Sequence, residues 1–370
     1  MKTASHTLLV APAFALALVP VFSSSPAVAD PVADFYKGKQ VKMIIRTAPG
    51  GGYDLNARLL MRHMTRHIPG NPSALNVNMT GGGGIRAANY VAKVAPRDGS
   101  VLTIVGGTIP MYQGLQLGGK LQADMKAFNW IGVISTSNRV LAVWHTSPAK
   151  TVADMKKRTI AIGATGAGSP SVFLPAVLNN VVGTKLKIIT GYKSGNEIDA
   201  AMEKGELEGR GSNPWSSWVS SSPRLVKDKL VRPMVQVGFK PDPQLPGVVP
   251  LLKDLGETPE QTEILLYTTK SFMTGFPFAT AQDVPADRVK ALRAAFNATM
   301  KDKKFLDEAA RTRTEVDPTD GVTLQKLITD LVDISPALRE KVRSAITPPG
   351  AYYEQLKGSG KKKSKKKKEN

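Results

Sequence analysis

Short apolar runs recur along this chain, and most of them end in a glycine-rich loop that precedes a helical pattern. In the first unit, Val41–Ile45 precedes Gly50-Gly51-Gly52, after which apolar residues from Leu55 to Met64 recur at helical spacing. Strands that alternate with helices indicate parallel α/β units, here in two lobes. The predicted strands are Val41–Ile45, Leu75–Met79, Val101–Val105, Val140–Trp144, Thr159–Ile162, Leu186–Ile189 and Leu230–Val237.

Three glycine loops, at 50–54, 81–84 and 163–171, lie where a predicted strand gives way to a helix. Glycine lets the backbone approach a ligand closely, and the unpaired amides of a first helical turn favour an anion. Ligands of open α/β sheets bind beyond the carboxyl ends of the strands, where all three loops are expected. We therefore predict an anion site shared by these loops. The alternative is that each loop is only a tight connection.

The chain has 370 residues, of which 42% are hydrophobic, so it can form a packed core and about two domains of ordinary size. A disordered or fibrous protein is excluded on the same ground. The chain contains no cysteine, which excludes disulfides, thiol catalysis and a lipid-modified cysteine anchor.

Residues 1–29 have the pattern of a secretory signal peptide. Lys2 precedes the uncharged, mostly apolar run Leu8–Phe22, and small residues at 27–29 fit cleavage after Ala29. The apolar run is shorter than the roughly 20 residues that span a bilayer, so an uncleaved anchor is the less favoured alternative. We therefore expect an exported protein.

The formal charge of +20 is unevenly distributed. Seven lysines and one glutamate stand in Lys361–Asn370, after the flexible linker Gly358-Ser359-Gly360. We expect residues 351–370 to be a disordered tail, and an interaction protein that docks to anionic surfaces through this tail is one alternative function. The remaining chain is also basic, which favours attraction of small anions into a cleft.

Neither a cofactor nor a metal is expected. The loop at 163–168 lacks the G-x-G-x-x-G spacing of a dinucleotide site, and no loop has the Gly-Lys-Ser/Thr ending of a phosphate loop. His63 and His67 are four residues apart on a predicted helix, but Arg62 and Arg66 beside them would repel a metal ion.

A catalytic role has one candidate set of residues. An exported hydrolase could use Ser169 or Ser171 with His145, although the G-x-S-x-G motif is missing. A loop with Arg210 and Asn213 could instead form a pocket wall, because a guanidinium can bind a carboxylate through two parallel hydrogen bonds. An ordinary surface arginine is an equal alternative for Arg210.

Several motifs also occur in a characteristic order. The most specific runs from Ala48 to Arg58 as Ala-Pro-Gly-Gly-Gly-Tyr-Asp-Leu-Asn-Ala-Arg, after Asp-Phe-Tyr-Lys-Gly-Lys at 34–39. Less specific blocks follow at 78–84, 98–102, 163–171 and 205–209. Over nearly all of residues 34–350 the chain resembles the Bug family, the extracytoplasmic solute receptors of tripartite tricarboxylate transporters.

The resemblance implies an α/β, two-lobed periplasmic binding protein of type II (Venus-flytrap), with a hinged cleft between two mixed sheets flanked by helices. One lobe would comprise residues 30–130 and return at 238–350 with the closing helices, and the other would comprise residues 131–237. Such a protein captures a small organic carboxylate and delivers it to the membrane subunits of its transporter. It would be a periplasmic monomer and not an enzyme, with no specific nucleic-acid partner.

In that family, backbone amides and bridging waters hold the carboxylate of the ligand. Two departures stand out: Met79-Thr80 precedes the glycines of the second loop, and Ser212-Asn213 stands where many members place an acid. The ligand-binding residues expected here, carried over loop by loop with the Arg210 loop added, are Pro49, Gly50, Gly51, Gly52, Tyr53, Asp54, Gly81, Gly82, Gly83, Gly84, Gly107, Thr108, Thr165, Gly166, Gly168, Ser169, Ser171, Gly191, Tyr192 and Asn213.

Overall fold

The computed structural model describes residues 30–118, 120–166 and 168–347, together with Met1. The predicted signal peptide and the predicted lysine-rich tail lie outside the described residues. Among the helices of the described ranges, none is both long and apolar enough to cross a membrane.

The described residues form eleven strands in two sheets. The strands are β1 Gln40–Ile45, β2 Ser73–Asn78, β3 Val101–Ile104, β4 Asn129–Val133, β5 Arg139–Trp144, β6 Ile160–Ala164, β7 Leu186–Thr190, β8 Gly209–Pro214, β9 Val231–Val237, β10 Phe278–Thr280 and β11 Thr319–Asp320.

Helices flank both sheets. They are α1 Pro31–Tyr36, α2 Gly52–Met64, α3 Ile85–Lys93, α4 Ile109–Gly114, α5 Val152–Lys157, α6 Pro170–Val177, α7 Gly195–Glu203, α8 Trp215–Ser221, α9 Pro223–Lys227, α10 Pro259–Phe272, α11 Ala286–Thr299, α12 Lys303–Arg311, α13 Gly321–Val332 and α14 Pro336–Ile346.

Each sheet defines one lobe. The first lobe contains the sheet β11-β4-β10-β3-β1-β2, and the second lobe contains the sheet β7-β6-β8-β5-β9. Both sheets are mixed: β1 runs parallel to β2 and β3, whereas β5 runs antiparallel to β8 and β9. The chain passes from the first sheet to the second after β4 and leaves the second sheet after β9. The predicted fold of two mixed sheets flanked by helices is confirmed.

The end of strand β1 shows why three apolar residues, Met43, Ile44 and Ile45, stand next to each other. Met43 and Ile45 pack into one apolar cluster with residues of α2 and α11, and the intervening Ile44 packs into a second cluster with residues of α3 and α4. A strand that is covered by helices on both faces has no solvent side, so it needs no polar alternation. The apolar run ends at Arg46, directly at the face between the lobes.

Candidate functional site

A small cavity of about 50 Å³ lies between the lobes. The first lobe contributes the residues that follow β1 and begin α2, and the second lobe contributes the segment around the start of α6 and strand β8. The cavity is lined by Arg46, Thr47, Gly51, Gly52, Tyr53, Arg139, Thr165, Ser169, Pro170, Ser171, Gly195, Ile198, Arg210, Ser212, Asn213, Pro214, Ser217 and Phe276.

The lobes touch each other beside this cavity. Asn196 Nδ2 of the second lobe donates to the Gly50 carbonyl oxygen of the first lobe at 3.0 Å. Thr108 Oγ1 of the first lobe donates to the Gly168 carbonyl oxygen of the second lobe at 2.8 Å. These contacts describe a closed cleft.

Asp54 fixes the shape of the first glycine loop. Its carboxylate accepts hydrogen bonds from the Gly50 amide at 2.9 Å, from Arg58 Nε at 2.9 Å and from Asn78 Nδ2 at 2.9 Å. Burial raises the pKa of this carboxyl, but the hydrogen bonds from Arg58, Gly50 and Asn78 outweigh burial and leave the pKa below its ordinary value. Asp54 is thus fully engaged within the first lobe and does not line the cavity.

Tyr53 lies in the wall of the cavity between two cations. Its ring meets Phe276 edge to face, with the ring centroids 4.5 Å apart, and its hydroxyl oxygen accepts the Gly107 amide at 3.3 Å. Burial raises the pKa of this phenol, yet the charges of Arg46 and Arg139 outweigh burial and lower it. Two arginine charges therefore act on this part of the cavity wall.

Arg46 is held in place by two uncharged groups. The guanidinium lies over the Tyr53 ring, 4.4 Å from its centroid, and Nη2 donates to the Gly83 carbonyl oxygen. The residue is only 5% exposed, and its Nε atom is buried without a hydrogen-bond partner. Within the part of the chain that the structure describes, no carboxylate forms an ion pair with Arg46.

Arg139, the first residue of β5, has similar surroundings. It is 3% exposed, donates from Nη2 to the Gly275 carbonyl oxygen at 3.1 Å, and lies 5.6 Å from the ring centroid of Phe276. Burial lowers its pKa, and the charge of Arg46 acts in the same direction. None of the ion pairs between described residues includes Arg139.

Arg210 differs because its charge is compensated. Its Nη1 atom lies 3.0 Å from both carboxylate oxygens of Asp199, and its Nη2 atom donates to Asn213 Oδ1 at 2.7 Å. Trp218 Nε1 donates to the same carboxylate at 3.0 Å, so the ion pair is anchored on a second side. Of the three arginines that line the cavity, Arg46 and Arg139 therefore carry the uncompensated charge.

Hydroxyl and amide groups complete the cavity wall. Ser169 Oγ and Ser171 Oγ lie 2.9 Å apart, and Ser171 Oγ accepts the Thr165 amide at 3.1 Å. Several lining residues have a buried polar atom without a hydrogen-bond partner, which is costly unless a ligand or water supplies one. These atoms are Arg46 Nε, Thr47 Oγ1, Arg210 Nε, Ser212 Oγ and Asn213 Nδ2.

The glycines at 81–84 serve the contact between the lobes. All four have positive φ, and a Cβ on Gly83 would lie 2.8 Å from the backbone nitrogen atoms of Gly168 and Ser169. A side chain at residue 83 would therefore push against the backbone of the opposite lobe. These glycines adjoin the cavity through the Gly83 carbonyl that holds Arg46, and they are not among its lining residues.

The structure brings some of the predicted ligand-binding residues together and leaves others aside. Seven line the cavity: Gly51, Gly52, Tyr53, Thr165, Ser169, Ser171 and Asn213. Those that lie beside it or farther away are Pro49, Gly50, Asp54, Gly81, Gly82, Gly83, Gly84, Gly107, Thr108, Gly166, Gly168, Gly191 and Tyr192.

The histidines considered for chemistry lie elsewhere. His145 is exposed directly after β5, is not among the cavity residues, and lies beside Trp144 with the ring centroids 5.2 Å apart. His63 Nε2 lies 2.6 Å from Glu308, and His67 Nε2 lies 2.7 Å from Asp302. Among the described residues, no group of three or more acidic or histidine side chains could hold a metal ion.

Besides Arg210, which sequence reasoning left open, the cavity residues that were not expected as ligand-binding residues are Arg46, Thr47, Arg139, Pro170, Gly195, Ile198, Ser212, Pro214, Ser217 and Phe276. A signal for Arg46 was present, because a cation follows the apolar strand β1 directly before the glycine loop. No such signal existed for Arg139, because the prediction assumed parallel α/β units, in which only the carboxyl ends of strands meet the site. Since β5 is antiparallel to β8, its first residue pairs with Pro214 at the last position of β8.

Comparison with known proteins gives one relative in sequence. Protein BugT of Bordetella pertussis is 34% identical over 103 residues, which are 28% of this chain and 31% of BugT. The chain thus matches about a third of the length of this curated relative. No protein family model matches the chain.

Solved structures with the same fold cover most of the chain. The periplasmic binding protein BugD has a TM-score of 0.66 at 18% identity, covering 84% of this chain and 98% of BugD. MatC from Rhodopseudomonas palustris, with bound malate, has a TM-score of 0.65 at 17% identity, covering 82% of this chain and 99% of MatC. An R. palustris protein with adipate has a TM-score of 0.63 at 20% identity, covering 84% of this chain and 98% of that protein. The two-lobed periplasmic-binding-protein fold and the resemblance to the Bug family are confirmed.

Proposed function

We propose that this protein is a periplasmic solute receptor that captures a small organic carboxylate between its lobes and delivers it to a tripartite tricarboxylate-type membrane transporter. One observation carries the proposal: Arg46 and Arg139 are buried in the wall of an interlobe cavity, without a carboxylate partner among the described residues. A buried charge without a partner is strongly unfavourable, and a bound anion would supply that partner.

Closure of the cleft is the working step in this proposal. The first lobe presents Arg46 and Thr47, and the second lobe presents Arg139, Ser212 and the hydroxyl groups near α6. A ligand that contacts both lobes has more affinity for the closed form than for the open form, so it shifts the population towards closure. No covalent step is required.

The contacts proposed for the ligand extend the set inferred from the sequence. The carboxylate would accept hydrogen bonds from the guanidinium groups of Arg46 and Arg139 and from the buried donors Thr47 Oγ1, Ser212 Oγ and Asn213 Nδ2, which have no partner in the protein. Solved structures of the same fold include one with bound malate and one with adipate, which supports a carboxylate as the ligand class.

The cellular setting belongs to the same proposal. Export would be directed by residues 1–29 with cleavage after Ala29, and the mature protein would act as a periplasmic monomer that docks to the membrane subunits of its transporter. The periplasmic binding proteins that share this fold support that location.

The hydrolase alternative is not favoured by the geometry. Ser169 is 1% exposed and its Oγ atom interacts with Ser171 Oγ, whereas His145 is exposed and outside the cavity. A serine nucleophile needs a base within hydrogen-bond reach.

Calorimetric titration of the mature protein with a panel of organic acids tests the proposed function. We expect at least one carboxylate to bind and to raise the melting temperature, since a ligand at 100 times its Kd stabilises by about 2.7 kcal/mol. Glucose, glycerol and lysine serve as neutral and cationic controls. Binding of only neutral or cationic solutes would refute the proposal.

A further inference from the structure

The charges around the cavity do not balance within the protein. Among the residues that the structure describes, three arginines line it, and no aspartate or glutamate does. Asp199 compensates Arg210 through two contacts at 3.0 Å. Arg46 and Arg139 remain, so the cavity carries two uncompensated positive charges among the described residues.

We propose that Arg46 and Arg139 form a clamp, one arginine from each lobe, that selects a compact dianion over a monoanion and makes closure of the cleft depend on it. This inference rests on the proposed receptor function and adds the charge class of the ligand and the residues that select it. Closure without a ligand places two like charges in a site that water has left, which opposes closure.

Uncharged groups of the first lobe hold both arginines in the closed cleft. Arg46 is fixed by the Gly83 carbonyl and the Tyr53 ring, and Arg139 by the Gly275 carbonyl and the Phe276 ring. Each of these anchors is uncharged, so it orients the guanidinium without neutralising it. A guanidinium has five N–H donors, and those that remain can bind anionic oxygens in the cavity.

The ligand must also be small. One buried water needs about 10–15 Å³ measured in the same way, so a cavity of about 50 Å³ suits a ligand of few non-hydrogen atoms. None of the described residues that line the cavity has a free carboxylate that could bind an ammonium group, which disfavours amino acids. Short dicarboxylates and tetrahedral oxyanions share the required chemistry.

The test compares ligands of matched size and different charge. Malonate and propionate have the same number of carbon atoms, and sulfate supplies a dianion without a carbon chain. We expect malonate to bind at least about 10-fold more tightly than propionate, the factor expected for one additional charge-assisted hydrogen bond. If sulfate binds as tightly as malonate, the clamp recognises charge alone; if it does not, the carboxylate geometry is recognised too.

Variants of the clamp separate selection from folding. Arg46→Gln and Arg139→Gln should each reduce the malonate preference at least about 10-fold, with the melting temperature of the ligand-free protein unchanged or raised. Arg224→Gln is the matched control, because Arg224 is exposed and pairs with Glu203 on the surface. It should leave both affinities unchanged.

The two proposals can fail separately. If malonate and propionate bind equally well to the wild-type protein, the clamp is refuted while carboxylate capture stands. The clamp is also refuted if both glutamine variants keep the malonate preference. If a glutamine variant does not fold, the corresponding lysine variant, Arg46→Lys or Arg139→Lys, takes its place in the test and retains the charge. If no anion binds the wild-type protein, the receptor function itself fails.

Discussion

Individual residues set the chemistry of the cavity, and Asp54 illustrates how a motif residue can act without touching the ligand. Its carboxylate receives hydrogen bonds from a loop amide, from Arg58 and from Asn78 of the neighbouring strand β2. The acid at the start of α2 thus ties the glycine loop to the sheet.

Asp54→Asn should lower the free energy of unfolding by about 1–3 kcal/mol at neutral pH, because buried donors lose a charged acceptor. The folded-state pKa lies below 3.8. The contribution is therefore fully present above that value and is lost as the pH falls towards the folded-state pKa. Urea unfolding of the variant and of Asp307→Asn, an exposed acid on α12, measures the difference. Equal losses in both variants would contradict this role.

Tyr53 should report the charge of the cavity. Its pKa is lowered, so it should ionise before an ordinary tyrosine in an ultraviolet pH titration, and Tyr53→Phe should remove that transition. Tyrosinate at residue 53 stabilises the folded protein above the unfolded-state value of 10.0, and this contribution disappears as the pH falls through the lowered pKa. Malonate should raise the pKa, because its charge offsets Arg46 and Arg139. Unchanged titration on adding malonate would argue against a shared site.

At the scale of elements, the glycine loops determine how closely the lobes approach. Gly83→Ala and Gly183→Ala both place alanine at positive φ, which costs roughly 1–2 kcal/mol of stability. Only the first would also press a methyl group against the backbone of the opposite lobe, because the space around Gly183 is open. We expect at least about 10-fold weaker malonate binding for Gly83→Ala alone. Similar affinities of the two variants would show that this close approach is unimportant.

The elements that follow local patterns could be predicted, whereas those that depend on distant pairing could not. Predicted strands such as 41–45 and 101–105 lie within one or two residues of β1 and β3, since buried apolar runs and glycine breaks are local signals. Strand β10 has only three residues and pairs antiparallel with β3 and β4, so no local pattern marks it.

The candidate site, too, could be predicted only in the parts that depend on local sequence patterns. The glycine loops predicted a site between two lobes, and Tyr53, Ser169 and Ser171 of these loops line the cavity there. The uncompensated charge of Arg46 and Arg139 was not predictable, since it depends on which acids lie nearby. Only the folded structure determines which acids lie near each arginine. Arg210 has Asp199 beside it, and the other two arginines do not.

At the scale of the whole molecule, two mixed sheets face each other across a cleft, and the cavity lies where they meet. The formal charge of +20 assists diffusion of small anions towards such a molecule, at a rate that salt reduces. Charge on the surface attracts many anions, whereas the two buried arginines decide which of them is retained.

Mass spectrometry of the small molecule released on denaturing the freshly purified protein tests the central claim most directly. The account predicts a compact organic acid with at least two negative charges and without an amino group, present at about one molecule per protein. A neutral or cationic solute in that position would contradict it.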